Sequence, residues 1–239
     1  MHLRQNLLLL FGLADGRPHS LVVRADQFRR AVLRSDQRLR DQYLQSAEKP
    51  KLHIGSGWRR LNGWLNTDIQ SIADVMQMDA TERFPFADNT FEYVFTEHMI
   101  EHVPYPKGQQ MLHECYRVLR HGGAVRVITP NLATIIGLYG RDPCPEQRKY
   151  MRWFSEAFLQ NGSQPNAVLT INAMFRLWGH QFLYDETTLT HSMTEAGFRA
   201  VRRYSLGESP YLELQNLENE ERYPKGMLNF ESLALEGLK

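Results

Sequence analysis

The stretch Lys51-Leu52-His53-Ile54-Gly55-Ser56-Gly57 decides the fold, because an apolar strand here runs directly into a glycine turn. Glycine lets the backbone adopt positive φ and lets a ligand approach the main chain closely. In an α/β sheet, a small molecule binds beyond the carboxyl end of such a strand. The pattern therefore predicts a ligand site at residues 55–57, and the acids downstream indicate which ligand.

Two acids stand at the ends of the next two predicted strands. Asp68 ends the second strand, and Asp79 follows the third. A dinucleotide-binding fold usually places its ribose-binding acid about 20 residues after the glycines, beyond a full helix, whereas Asp68 lies 13 positions after Gly55. The short interval predicts that the helix between the first two strands is shortened to about a turn. Together with Arg59, which stands where a third glycine is expected, it argues against NAD or FAD.

The strands that follow alternate with helical patterns, as is typical of a parallel sheet with right-handed crossovers. The β-rich run 91–95 predicts a fourth strand, and the run 124–128 predicts a fifth. Between them, Pro106 opens a helix with an apolar stripe, and Gly122 stops it. This alternation predicts an α/β fold.

The second half of the chain predicts a helical insertion and then the far edge of the sheet. Helical patterns rich in aromatic residues, at 146–160 and 166–178, belong to a predicted insertion over 131–180. Most of these aromatic residues are expected to be ordinary core, and the alternative is that they shape a ligand pocket. Strands at 198–205 and 230–238 are predicted to form an antiparallel hairpin at the sheet edge.

Residues 1–48 are predicted to form an N-terminal extension, and residues 49–239 one domain. In the extension, the short apolar strands Leu7–Leu13 and Leu21–Val23 flank a turn, which predicts a hairpin. A helical pattern then runs over 25–47.

Six motifs of the central region follow one another in a particular order: His53-Ile54-Gly55-Ser56-Gly57, Asp68, Asp79-Ala80, Phe84-Pro85-Phe86-Ala87-Asp88-Asn89-Thr90-Phe91, Glu101-His102-Val103 and Arg117-Val118-Leu119-Arg120-His121-Gly122-Gly123. In this order they resemble class I S-adenosylmethionine-dependent methyltransferases of the methyltransferase-domain-11 type. The resemblance covers about residues 50–130 and, more weakly, 180–205. It implies a Rossmann-like, doubly wound α/β sheet of seven strands in the order 3-2-1-4-5-7-6, with the last strand antiparallel. It also implies S-adenosyl-L-methionine as the cofactor.

The resemblance assigns a role to each strand end. Asp68 would accept hydrogen bonds from both ribose hydroxyls, because a diol offers two donors and a carboxylate only accepts. Asp79 would accept from the adenine amino group while the Ala80 amide donates to a ring nitrogen, and exposed amides of the glycine turn would receive the methionine carboxylate. The implied cofactor-binding residues are His53, Gly55, Ser56, Gly57, Asp68, Asp79, Ala80 and Thr96.

The candidate catalytic residues follow the fourth strand. His98 is the candidate base, because it follows this strand beside the expected position of the sulfonium, and an oxygen or nitrogen acceptor loses a proton on methylation. Glu101 and His102 are grouped with His98. In the wider family a Glu-His pair at this place braces the loop, and this role is favoured over metal binding, so no metal ligand is assigned.

Two metal-dependent alternatives stay open for the same residues. The run 98–102 fits H-x-x-E-H, a zinc-hydrolase signature, but that signature needs a long helix, which the prolines that follow oppose. The run also resembles the E-x-x-E-H of methyltransferases that bind a divalent ion, with His98 in place of the first Glu. A further histidine, His180 or His191, could complete such a site.

The composition argues against several other classes of protein. The net charge of +1 provides no field that would favour nucleic acid or a membrane surface. Cys115 and Cys144 lie far apart, which argues against a disulfide framework and fits a reducing, cytoplasmic location. No run reaches the roughly 18 apolar residues of a membrane-spanning helix.

The expected function is methyl transfer from S-adenosylmethionine to a small-molecule or saccharide-like acceptor, such as a glycan precursor, by O- or N-methylation. No nucleic acid partner is expected, because no basic stripe lies near the motifs. The alternative from another class is a non-catalytic domain that keeps the fold as a cofactor sensor or scaffold.

Overall fold

A computed structural model describes residues 35–70, 72–159 and 164–239 of the chain. The predicted N-terminal hairpin and the first part of the predicted helix lie outside these residues. The rest of that helix is α1, Ser35–Ser46. The Tyr43 hydroxyl ties it to the sheet, since it donates to the Lys51 carbonyl at 3.0 Å and accepts from the Lys51 amide at 2.8 Å.

The described residues form one seven-stranded sheet in the order β3-β2-β1-β4-β5-β7-β6, as predicted. Strand β7 is antiparallel to both of its neighbours, and the other pairs are parallel. The strands are β1 Lys51–Ile54, β2 Leu65–Asp68, β3 Met76–Gln77, β4 Phe91–Glu97, β5 Leu119–Pro130, β6 Arg199–Tyr204 and β7 Ser232–Leu238. The helices after α1 are α2 Tyr105–Val118, α3 Leu132–Gly137, α4 Pro145–Phe158, α5 Ala167–Arg176, α6 Glu186–Glu195 and α7 Met227–Glu231.

The centre of the sheet is buried on both faces. In β1, Leu52 and Ile54 are almost fully buried, and so are Val94 in β4 and Val125 in β5. Parallel strands covered on both faces read as continuous apolar runs, which is why the sequence identifies them. Because β1, β2 and β4 are parallel, their carboxyl ends meet at one edge of the sheet.

The alternation of strands with helices begins at β4. The β1–β2, β2–β3 and β3–β4 connections contain turns and no helix in their described residues, whereas α2 connects β4 to β5. The β1–β2 connection, 55–64, is short and holds three glycines, which oppose helix formation. The helix of about one turn predicted for this connection is therefore replaced by turns.

Helix α2 is shorter than predicted. It begins near Pro106 as expected, but it ends at Val118 rather than at Gly122. The reason is that the fully buried Leu119 pairs with Phe91 in the sheet, so the chain enters β5 directly. Gly122, with φ of +81°, lies within β5, and its amide donates to the Lys239 carbonyl at 3.0 Å.

Two other strands also differ from their predicted bounds. Strand β3, which the sequence predicts over 73–78, is limited to two residues, because Asp74 adopts φ of +58° and turns the preceding segment. The last strand begins at Ser232 rather than at residue 230, because α7 forms first after Gly226, which has φ of +83°.

The insertion predicted after β5 folds as α3, α4 and α5 around a hydrophobic cluster of its own. Tyr150, Phe154 and Met174 lie at its centre. The division of the chain at residues 48 and 49 stays a prediction. Within the described ranges, none of the helices combines the length and the apolar character needed to cross a bilayer, and the cytoplasmic location stays a prediction.

Candidate functional site

A cleft of about 850 Å³ opens at the carboxyl ends of β1, β2 and β4. Thr96 does not line it, because it is fully buried within β4, where its hydroxyl has no hydrogen-bond partner among the described residues. Its neighbour Glu97, which the sequence analysis did not select, lines the cleft instead. The other predicted cofactor residues all line the cleft: His53, Gly55, Ser56, Gly57, Asp68, Asp79 and Ala80.

The glycine turn forms as predicted. Gly55 has φ of +69°, and a Cβ atom there would lie 2.5 Å from the Met99 side chain, so only glycine fits. The Ser56 amide donates to the Thr67 carbonyl at 3.0 Å, and the Gly57 amide donates to Asp68 Oδ2 at 2.8 Å. These two amides are therefore engaged within the protein, which limits the carboxylate-binding role that was expected of the turn.

Asp68 is held in place before any ligand arrives. Its Oδ2 accepts from Gly57 and its Oδ1 accepts from the Gln70 amide, both at 2.8 Å. A carboxylate offers about four lone-pair positions, so both oxygens can still accept from a ligand. Asp79 is more exposed, and its Oδ1 accepts from the Thr81 amide and hydroxyl at 2.8 and 2.7 Å.

His53 forms a neutral polar group on the wall of the cleft. Its Nδ1 lies 2.9 Å from Asn66 Oδ1, which also accepts from the Leu61 amide, so the imidazole nitrogen is the donor. Burial lowers the pKa of His53 to about 4, and the Arg59 charge acts in the same direction, against a smaller opposing effect of the Asn66 hydrogen bond. His53 is therefore neutral at pH 7, with Nε2 unprotonated.

The candidate base His98 lies between the cleft and a second, smaller cavity and lines both. Its Nδ1 is 3.3 Å from Glu101 Oε1, and its Nε2 is 3.1 Å from Ser232 Oγ. Burial lowers the pKa of His98, but the carboxylates of Glu101, Glu231 and Glu97 outweigh burial and leave this pKa above its ordinary value.

The H-x-x-E-H run does not have the geometry of a zinc hydrolase. Only Ile100–His102 is helical, as a single 3₁₀ turn, and His98 precedes it with φ of +50°. The two histidines of the signature therefore do not share a helix, as that alternative requires. Instead, Glu101 and His102 come together with His180, and one potential ligand atom from each lies within 4.8 Å of the others. His191 lies on α6, exposed and outside this group.

The second cavity, of about 50 Å³, is enclosed by aromatic side chains and acids. Glu231 accepts from the Tyr150 hydroxyl at 2.5 Å and from the Tyr223 hydroxyl at 3.0 Å. Burial raises the pKa of Glu231 more than His98 and the two tyrosines lower it. Glu231 could not be identified from the sequence, because an acid at the start of a predicted edge strand has no distinguishing local signal. The aromatic lining consists of Trp153, Phe154, Phe158, Trp178 and Tyr223.

The cleft is roofed by part of the segment 207–222, which a buried arginine fixes to the sheet. Arg126 in β5 is fully buried and forms ion pairs with Glu218 at 2.5 Å and with Glu236 at 2.6 Å. Its guanidinium also donates to the Ser205 carbonyl at 3.1 Å. A charged residue inside an apolar strand was a signal in the sequence that could have identified this group.

Comparison with known proteins adds one family match. Residues 58–127 match the methyltransferase domain family, and this segment contains Asp68, Asp79 and His98. The resemblance stated from the sequence motifs is thereby confirmed. A comparison with curated proteins gives no match.

Several solved structures are similar to this chain at low identity. A methyltransferase from Archaeoglobus fulgidus is 16% identical, with 92% of this chain and 100% of that chain covered and a TM-score of 0.47. One from Thermotoga maritima is also 16% identical, with 90% and 96% covered and a TM-score of 0.46. Haemonchus contortus phosphoethanolamine N-methyltransferase 2 is 14% identical, with 86% and 52% covered and a TM-score of 0.43.

Proposed function

We propose that this chain, an S-adenosylmethionine-dependent methyltransferase by its family match and its fold, methylates an oxygen or nitrogen of a small or saccharide-like acceptor. The observation that carries the proposal is the meeting of three strand ends, at 55–57, 68 and 79, on one cleft. Its volume of about 850 Å³ is ample for a nucleoside-sized ligand.

The strand ends provide the groups that such a cofactor needs. Asp68 would hold the ribose diol, since both carboxylate oxygens are already oriented by backbone amides. Asp79 and Ala80 would contact the adenine, and Gly55 keeps the Met99 side chain close against the turn. Bound S-adenosylmethionine would supply a methyl group on a sulfonium, whose carbon is already activated for displacement.

The chain's own contribution to the chemistry is positioning, exclusion of water and removal of a proton. His98 is the proposed base: Glu101 lies beside Nδ1, and Nε2 points to Ser232 Oγ, where an acceptor group could contact it. The proton leaves the acceptor oxygen or nitrogen as the new bond to carbon forms, and His98 receives it.

The small cavity supports a polar acceptor with a compact reacting group. At about 50 Å³, it has room for a hydroxyl or amino group and its carbon but not for a whole sugar ring. The remainder of the acceptor would extend into the larger cleft, with which the cavity shares His98 and His102. The carboxylate of Glu101 and the nearby imidazoles accept hydrogen bonds, which suits the hydroxyl groups of a saccharide-like acceptor.

The test is transfer of labelled methyl from S-adenosylmethionine to a panel of sugar nucleotides, free sugars and small amines, with mass measurement of the product. We expect His98→Ala to lower turnover by about 10²- to 10⁴-fold, the usual contribution of a positioned base, while cofactor affinity stays unchanged. The control is His113→Ala, on the exposed face of α2. Equal turnover in His98→Ala would remove it as the base, and cofactor binding without turnover on any acceptor would favour a sensor or scaffold.

A further inference from the structure

We propose that Glu101, His102 and His180 form a site for one divalent transition-metal ion, in the wall between the cleft and the small cavity. The three residues each offer a ligand atom, and these atoms lie within 4.8 Å of one another. Glu101 is fully buried, and the two histidines are half-buried, so the site is shielded but reachable.

The site joins two segments that are far apart in the sequence, and hydrogen bonds fix them together. The Gln181 amide donates to the Glu101 carbonyl at 2.7 Å, and the Gln181 side chain donates to the His102 carbonyl at 2.7 Å. The Phe182 amide also donates to the Glu101 carbonyl, at 3.2 Å. The three candidate ligands are therefore brought together by the fold itself.

Both imidazoles are oriented as metal ligands are. His180 Nδ1 lies 2.6 Å from the Met174 carbonyl oxygen, which can only accept, so this nitrogen carries the proton and Nε2 has a lone pair. His102 likewise hydrogen-bonds through one ring nitrogen to the Trp178 backbone. Metal-binding histidines almost always donate their other ring N–H to a carbonyl, a carboxylate or water, which fixes the tautomer.

Glu101 presents a buried oxygen that lacks a hydrogen bond. Its Oε2 accepts from the Thr129 hydroxyl at 3.0 Å, whereas its Oε1 forms no hydrogen bond of acceptable geometry among the described residues. The His98 imidazole lies beside Oε1, with its Nδ1 atom at 3.3 Å. A buried carboxylate oxygen is costly without a partner, and a bound cation would satisfy it.

The backbone beside the site is strained in a way that serves this arrangement. Trp178 adopts φ of +57°, which is a rare conformation for a bulky residue, and Gly179 follows with φ of +78°. Strain of this kind persists where the surrounding structure enforces it, and it concentrates at functional sites. Here it turns the chain between α5 and His180, so that the His180 ring stacks edge-on against His102, with ring centroids 4.9 Å apart.

Two imidazoles and one carboxylate select the chemical class of the ion. Zn²⁺, Mn²⁺, Fe²⁺ and Co²⁺ accept this donor set, whereas Mg²⁺ and Ca²⁺ favour oxygen ligands. Three protein ligands leave coordination positions open. In a role that rests on the proposed function, an acceptor hydroxyl bound there would be held at the boundary of the cleft and made more acidic.

The site is tested by metal binding, without an activity assay. We titrate the full chain, treated with chelator and dialysed, with Zn²⁺ by calorimetry and with Co²⁺ by visible absorption. We expect one ion per chain, and at least about 100-fold weaker binding in His180→Ala and in His102→Ala, since each removes a ligand. The matched control is His191→Ala, an exposed histidine outside the group, which should bind like the wild type.

A separate titration with S-adenosylmethionine distinguishes the two proposals and also reports folding. A His180→Gln variant, which keeps a polar side chain, replaces His180→Ala if the latter does not bind the cofactor. Absence of metal binding by the wild type, or binding unchanged in both histidine variants, overturns the metal site and leaves the methyltransferase proposal intact. If the wild type binds the metal but does not bind S-adenosylmethionine, the methyltransferase proposal is overturned and the metal site stands.

Discussion

Two walls are built in different ways: one lines the cleft on the side proposed for the cofactor (the cofactor wall), and the other lines the small cavity proposed for the reacting group of the acceptor (the acceptor wall). The cofactor wall comes from one contiguous stretch, 53–80, and uses backbone turns and strand ends that are fixed by main-chain hydrogen bonds. The acceptor wall brings together residues from 98–102, 150–180 and 223–231, and it uses buried side chains. The difference teaches that a common cofactor can be held by local geometry, whereas a particular acceptor requires long-range assembly.

The carboxylates of the two walls also differ in how deeply they are buried. On the cofactor wall, the Asp68 carboxylate is partly exposed and Asp79 is more so. On the acceptor wall, burial raises the pKa of Glu231, whereas the neighbouring histidines, His98 first, outweigh burial and hold the pKa of Glu101 well below its ordinary value.

The largest expected effect comes from releasing the roof that spans both walls. We expect Arg126→Met to reduce the free energy of unfolding by about 3–5 kcal/mol, because it leaves the buried carboxylates of Glu218 and Glu236 without their cation. Chemical denaturation measures the change. The control Arg203→Met breaks an exposed pair with Glu186 and should cost at most about 1 kcal/mol. Similar losses in both variants would contradict the structural role of the buried arginine.

The next effect is confined to the cofactor wall. We expect Asp68→Ala to weaken S-adenosylmethionine binding by about 1–3 kcal/mol, the cost of leaving polar groups of the ligand unpaired. Calorimetry measures the affinity, and Asp142→Ala, an exposed acid outside the cleft, serves as the control. Metal binding at the acceptor wall should be unchanged in Asp68→Ala. An unchanged cofactor affinity would refute the ribose role of Asp68.

A smaller effect, on the pH dependence of stability, is expected from the neutral imidazole of His53, which precedes the glycine turn. The pKa of His53 is about 4 in the folded chain against 6.5 for the ordinary group, so the unfolded chain binds more protons between these values. Stability therefore falls as pH decreases through this window, by about 2 kcal/mol between pH 7 and pH 5 from this group.

Urea denaturation at pH 7, 6 and 5 measures that loss. His53→Asn keeps a donor toward Asn66 but cannot titrate, so its unfolding free energy should fall by about 2 kcal/mol less than that of the wild type over the same interval. The other titrating groups are common to both proteins and cancel in the difference. Parallel pH profiles for the two proteins would show that His53 is not held neutral by burial.

The sequence was most informative where a strand end fixes a side chain locally. Asp68 and Asp79 follow short strands and reach the cleft because parallel strands end at one edge of the sheet. The resemblance placed Thr96 in the same cleft, but neighbouring side chains on a strand point to opposite faces, and the cleft is lined by Glu97.

The rest of the site depends on contacts between distant parts of the chain. His180 and His191 were equal candidates in the sequence, and only the return of the chain after α5 brings His180 to Glu101. Glu231 lies 130 positions after Glu101 and reaches the cavity through α7, a short helix that the strand pattern concealed. The apolar runs located the strands, and the resemblance to a family implied their order, which the sheet confirms.

The most direct test of the central claim is a crystal structure of the chain with S-adenosylhomocysteine. The account predicts one ligand in the cleft, with its ribose hydroxyls on the Asp68 carboxylate, its adenine beside Asp79 and Ala80, and its sulfur toward His98. A ligand bound elsewhere, or a ribose that does not contact Asp68, would contradict the convergence of the three strand ends on one adenosyl group.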